Sequence, residues 1–218
     1  MGYLILKDLL LQRKMLGAAV LYVLLFTFAF QSMGEGQLIA IISAVGYMFV
    51  MLGAAWEEKN NSDVLWNSLP VSKRKIVGAK YLSIPVYVAI VIAIYWLVST
   101  VLSLLGDPIT AMPLDLTSIL LGVVAVFVAA SMYFPVFFAV GYTKSRYWHF
   151  ILFFGIMMLG SVLPALIPKK PAWIDPLLER LPELRGDAAG AIVLGVVVAA
   201  MVGISFLASL RLYGRREF

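Results

Sequence analysis

The chain of 218 residues contains no cysteine and a single histidine. Without thiols there is no disulfide framework, no thiolate metal site and no sulfur nucleophile, so redox chemistry argues for no compartment. His149 stands beside Arg146 and Trp148 at the expected membrane border, with no second His or Cys to complete a metal site, and it reads as an interfacial anchor. Charge is scarce as well: Asp, Glu, Lys and Arg make up 13% of the residues, against about 25% in soluble domains. Gly78-Ala79-Lys80 lacks the upstream glycine and the following hydroxyl of a phosphate-binding loop, which excludes ATP binding by that route. The long apolar stretches carry no acid or base, so the sequence offers no ionisable constellation facing a bundle interior. That argues against intramembrane catalysis and against a proton- or sodium-coupled pump.

What is present is apolar: 62% of the residues are hydrophobic and the mean hydropathy is +0.97. Six stretches are free of charge, namely Met15–Gly34, Gly36–Trp56, Tyr81–Gly106, Leu116–Thr143, Tyr147–Pro168 and Ala188–Leu210. Each supplies the ~20 residues that a helix needs to cross ~30 Å of hydrocarbon. Continuous apolar runs such as Tyr87–Leu97 and Val123–Ala130 exclude a transmembrane β-barrel, whose strands alternate. The expected fold is an all-α integral membrane protein with six transmembrane helices and no soluble domain.

Six spans put both termini on one face, and all Lys and Arg except Lys169, Lys170, Arg180 and Arg185 then fall on that face. The positive-inside rule makes both termini cytoplasmic, in a multi-pass chain. The basic excess follows the membrane ends and the lipid around them, so no nucleic-acid partner is expected. Phe28-Ala29-Phe30-Gln31 offers no signal-peptide cleavage site, so the first span is expected to stay. The basic N-terminal segment, residues 1–14, does not gather its polar side chains on one helical face.

The longest cytoplasmic connection runs over residues 57–80 and opens with Glu57 and Glu58. Asn61 and Ser62 supply helix caps, Asp63 suits the positive helix end, Leu65, Trp66 and Leu69 share a face, and Pro70 stops the helix. The pattern predicts a short amphipathic helix at Asp63–Leu69 on the cytoplasmic surface. Ser72 then caps the third membrane helix, whose Lys73, Arg74, Lys75 and Lys80 are expected at the depth of the lipid phosphates. Pro85 and Pro135 predict kinks, and Gly155, Gly160, Pro164 and Pro168 allow span five to be broken or re-entrant. The outer loop at residues 168–187 holds an Asp175-Pro176 helix start, and Ala191, Gly195, Ala199 and Gly203 would let another helix approach the sixth span closely.

The run Glu57-Glu58-Lys59, followed by Asp63 through Tyr81 with its Ser68-Leu69-Pro70-Val71-Ser72-Lys73-Arg74 core, resembles a segment of the permease subunits of type-2 ATP-binding-cassette (ABC) exporters. In those subunits a Ser-Leu-Pro-Val-Ser-Arg/Lys segment with a later Lys follows the second membrane helix. The likeness extends to small bacterial permeases whose relatives export phenol-soluble modulins and other membrane-active peptides. It implies one transmembrane permease domain over residues 1–218 in a bacterial cell membrane, paired with a second permease as a homo- or heterodimer. It also implies two separate ABC ATPase subunits, which bind ATP and Mg; this chain would bind no cofactor and catalyse nothing. The family's coupling helix falls at Asp63–Leu69, with Leu65, Trp66 and Leu69 as apolar contacts to the ATPase and Glu57, Glu58 and Asp63 as polar ones. Spans two and five would line the pathway, through Ser43, Tyr47, Phe153, Met157 and Ser161. Residues 1–14 are less amphipathic than the family's N-terminal interfacial helix. The alternative is a non-ABC polytopic protein, either a secondary transporter or a membrane scaffold.

Overall fold

A computed structural model describes residues 2–13, 15–34, 36–60, 72–104, 113–148, 151 and 188–215, with backbone alone at 188, 189 and 191. Among these residues there is no strand. Six helices carry the architecture: α1 (Gly2–Gln12), α2 (Met15–Ala29), α3 (Gly36–Lys59), α4 (Lys73–Leu104), α5 (Leu116–Val140) and α6 (Ala188–Arg215). A short helix over 142–148 follows α5. The proposed coupling helix at 63–69, most of span five and the outer loop 168–187 lie outside the described residues.

Among the described residues, four helices are long and apolar enough to cross a membrane: α3, α4, α5 and the Ile192–Arg215 part of α6. Helices α1 and α2 make a fifth if they count together as one span, bent by 70°. Helices α3, α4 and α6 each run past their charge-free stretch at one end, because backbone hydrogen bonding continues wherever a charged side chain has a partner or reaches water. At about 1.5 Å per residue, the 32-residue α4 is roughly 48 Å long and outruns ~30 Å of hydrocarbon by several turns. Its basic first turns therefore project beyond the apolar slab. Pro85 and Pro135 lie inside α4 and α5, which continue through both.

Local chemistry sets the helix ends. Asp115 caps α5 by accepting the Ser118 N–H at 2.9 Å. At Gly34, φ is +54°, a value that favours glycine, and the turn there joins the 3-10 turn at Gln31–Met33 to α3. The Ser72 carbonyl accepts from Lys75 and Ile76 at the start of α4.

The core forms where α3 lies against α4 and α5, with α6 packed on α5. Val126 meets the backbone at Gly46, and Ile42 meets the backbone at Gly122. These glycines let α3 and α5 approach closely, as small residues do between membrane helices. Along α6, by contrast, no described atom lies within 4 Å of where a side chain on Gly195 or Gly203 would sit. An aromatic row on α5 carries the packing toward α4 and α6: Phe134 lies edge-on to Tyr81 at 4.8 Å, and Phe138 lies edge-on to Tyr213 at 5.3 Å. The Tyr81 hydroxyl is 2.7 Å from Ser205 Oγ and 3.0 Å from Ser209 Oγ, and Ser205 donates to the Ser131 carbonyl.

Candidate functional site

The C-terminal ends of α3, α5 and α6, the start of α4 and the whole of α1 meet at one end of the bundle. Lys73 Nζ donates to the carbonyls of Tyr213 and Gly214, fixing the tail of α6 beside the start of α4. On α4, the residues at 77, 80, 84, 87 and 91 fall on one buried stripe, and at 80 that stripe carries a lysine. On α3 the stripe of Gly46, Val50, Gly53 and Ala54 ends at Glu57. On α1, Asp8 and Gln12, four residues apart, are the buried pair. Three helices thus aim charged or amide side chains at one point.

There the charges close a ring. Lys7 Nζ lies 2.8 Å from Asp8 Oδ1, Asp8 Oδ2 lies 3.3 Å from Lys80 Nζ, Lys80 Nζ lies 2.9 Å from Glu57 Oε2, and Glu57 Oε1 lies 2.5 Å from Lys7 Nζ. Each carboxylate spends one oxygen on each lysine, so the ring is electrically neutral. Glu57 and Lys80 are both only 5% exposed. Neutrality is what permits this burial, since a lone charge at such a place costs several kcal/mol in desolvation. Burial alone would raise the Asp8 carboxyl, but Lys80 and Lys7 outweigh it and hold Asp8 below the ordinary aspartate range.

A second layer sits on the ring. Ser83 Oγ lies 3.4 Å from Asp8 Oδ2 and donates to the Ala79 carbonyl. Gln12 Nε2 donates to the Tyr87 hydroxyl at 2.9 Å, directly over Gly53, where a Cβ would come within 2.8 Å of that nitrogen. Gln12 Oε1 is buried without a hydrogen-bond partner among the described residues.

The ring corrects the expectation that no buried ionisable constellation exists. Along the sequence its members stand as separate markers of membrane ends, with Lys80 a phosphate-level cation; in the fold they neutralise one another inside. The available signal was positional, because Lys80 and Glu57 each continue an apolar helical register. Helix α1 corrects the expectation that the polar side chains of this segment do not gather on one helical face. It buries its polar side and exposes Tyr3, Leu6 and Leu10, the reverse of a surface helix on a soluble protein.

The other expected site residues fall in different surroundings. Glu58, half-buried, accepts hydrogen bonds from the backbone N–H groups of Tyr142 and Thr143. On α3, half-buried Ser43 donates to the Ala40 carbonyl, and Tyr47 lies edge-on to Tyr133 at 6.3 Å. Asp63, Leu65, Trp66, Leu69, Phe153, Met157 and Ser161 lie outside the described residues.

Comparison with curated proteins returned no match. The family model described as ABC-2 family transporter protein matches residues 3–214, nearly the whole chain and all four residues of the ring. This match favours the ABC reading over a non-ABC transporter or scaffold. The chain is a multi-pass membrane protein that belongs to the ABC-2 transporter family.

Proposed function

We propose that the chain is the permease subunit of an ATP-driven exporter in the bacterial cytoplasmic membrane, with six spans and both termini inside. It would move amphipathic peptides, lipids or hydrophobic drugs outward. A second permease completes the pathway, and two separate ATPase subunits bind ATP and Mg. The observation that carries this reading is the family match over residues 3–214.

The geometry at the ring supports a transmission role for the connection between α3 and α4. Glu57 and Lys80 stand on either side of segment 61–71 and pair at 2.9 Å, so the two anchors of that segment are pinned to each other and to α1. A push on the coupling helix at Asp63–Leu69 would reach three helices at once through this joint. Glu57 then acts from inside the joint, and Leu65, Trp66 and Leu69 make the apolar contact with the ATPase. The route itself needs no charged group for amphipathic cargo, and Ser43 and Tyr47 with Phe153, Met157 and Ser161 would line it.

The test is a search of the neighbouring genes for an ABC ATPase, whose absence counts against the reading, and co-expression with the one found. The two should purify together, and the permease should stimulate ATP hydrolysis. Trp66→Ala and Leu69→Asp should each abolish that stimulation. Unchanged stimulation in both variants removes the coupling assignment, and failure to co-purify removes the transporter reading.

A further inference from the structure

Glu57 and Glu58 end α3 side by side, yet their carboxylates leave in different directions. Glu57 closes the ring with α1 and α4. Glu58 reaches the turn after α5, where Thr143 N–H donates to Oε1 and Oε2 at 3.0 and 3.1 Å. The Tyr142 N–H and the Thr143 hydroxyl donate to the same carboxylate. These backbone groups open the short helix at 142–148, and the first N–H groups of a helix have no partner within it.

The residue just before that helix is Gly141, with φ at +80° and no side chain to cap the helix start. A carboxylate on another helix takes the place that Asp, Asn or Ser usually fills locally. The 142–148 helix is in turn joined to α5: Gly141 N–H donates to the Phe137 carbonyl, and Ser145 Oγ lies 3.4 Å from the Tyr133 hydroxyl.

We propose that Glu58 is a positioning residue that locks the helix described at 142–148 to the end of α3. A displacement of segment 61–71 then reaches α5 through Glu58, while Glu57 delivers it to α1 and α4. The inference rests on the exporter reading above, and it assigns the adjacent carboxylates two separate arms of one joint. Both arms act inside the permease.

Two measurements test it. The first needs no partner: amide hydrogen exchange of the purified permease in detergent. Glu58→Ala should speed exchange at residues 142–145 by about tenfold, the loss of a charge-assisted cap. Glu58→Gln, which keeps an acceptor oxygen, should fall between Glu58→Ala and the natural chain. Glu58→Gln, which weakens the cap without removing the side chain, stands in should Glu58→Ala fail to fold. Unchanged exchange in folded Glu58→Ala, or in Glu58→Gln where that variant stands in, overturns the lock.

The second measurement uses the complex with the ATPase. Because the chain has no cysteine, spin labels attach only at introduced sites, here Asn60→Cys with Lys144→Cys. With Glu58 present, the label distance should hold constant between nucleotide-free and ATP-vanadate-trapped states. In Glu58→Ala it should change or broaden, and Glu58→Gln should restore it in part. Identical distances in all three overturn the transmission role. A complex that shows no ATPase stimulation even with Glu58 intact defeats the exporter reading, whereas the exchange experiment still decides the lock.

Discussion

Lys80 is the residue on which the most depends, because it holds two carboxylates from two other helices. Removing one member of a buried ion-pair group leaves an uncompensated charge, which costs about 3–5 kcal/mol. Lys80→Ala should therefore lower the thermal stability of the detergent-purified protein by about that amount. Lys7→Ala should cost less, because the Lys7 side chain is 22% exposed and Lys80 remains to hold both acids. Equal losses in the two variants would show that the ring does not bear unevenly on Lys80. Asp8 adds a pH signature. Its folded value is depressed, so its contribution is complete above the unfolded value of about 3.9 and is lost as pH falls through the lowered folded value. The stability difference between the natural chain and Asp8→Asn, followed by thermal unfolding, should stay flat from pH 7 to about 5 and shrink below about 4. A difference that shrinks already between pH 7 and 5 would refute the depressed carboxyl.

At the scale of helices, two close approaches that look alike should respond differently to one added methyl. A Cβ on Gly122 would come within 2.8 Å of Ile42 Cβ, an atom fixed to the α3 backbone, so the helices must separate. Gly122→Ala should cost about 1–3 kcal/mol by overpacking. A Cβ on Gly53 would meet the far ends of Gln12, at 2.8 Å, and Tyr87, at 3.2 Å; the Gln12 amide can swing away, and the Gln12–Tyr87 hydrogen bond is forfeited. Gly53→Ala should cost about 1 kcal/mol. Melting of both variants in the same detergent checks the order; a larger loss for Gly53→Ala would contradict the packing described between α3 and α5. Helix α1 belongs to this scale too. Its turn away from α2 lets Asp8 and Gln12 face α3 and α4, and it leaves Tyr3, Leu6 and Leu10 outside.

For the whole molecule, the fold gathers the tail of α3, the start of α4, helix 142–148 and the end of α6 at one end. The carboxylates described there, Asp8, Glu57 and Glu58, are consumed internally, while Lys59, Arg74, Lys75, Lys144, Arg211 and Arg215 stay exposed. The ring withdraws Lys7 and Lys80 together with Asp8 and Glu57 and so leaves the net charge of this end unchanged, and the exposed cations dominate its described surface. In the orientation proposed above, which rests on the positive-inside rule, this end would face the cytoplasm. Asn60→Cys, Lys144→Cys and Arg215→Cys should therefore react with a membrane-impermeant maleimide only after cells are permeabilised. Labelling of any one of them in intact cells would refute the orientation.

Composition and the spacing of charges determine on their own that this chain is helical and lives in a membrane, because backbone polar groups in hydrocarbon must be satisfied within a helix or a closed barrel. The loop motif around Ser68-Leu69-Pro70 pointed to the family that the match over residues 3–214 shows. Which charges are partners was not legible. Lys7, Asp8, Glu57 and Lys80 are spread over more than seventy positions, and a hydropathy count treats each as an end marker. Only the tertiary packing of α1 against α3 and α4 brings them within ion-pair distance, and only there does burial make each charge depend on the other three.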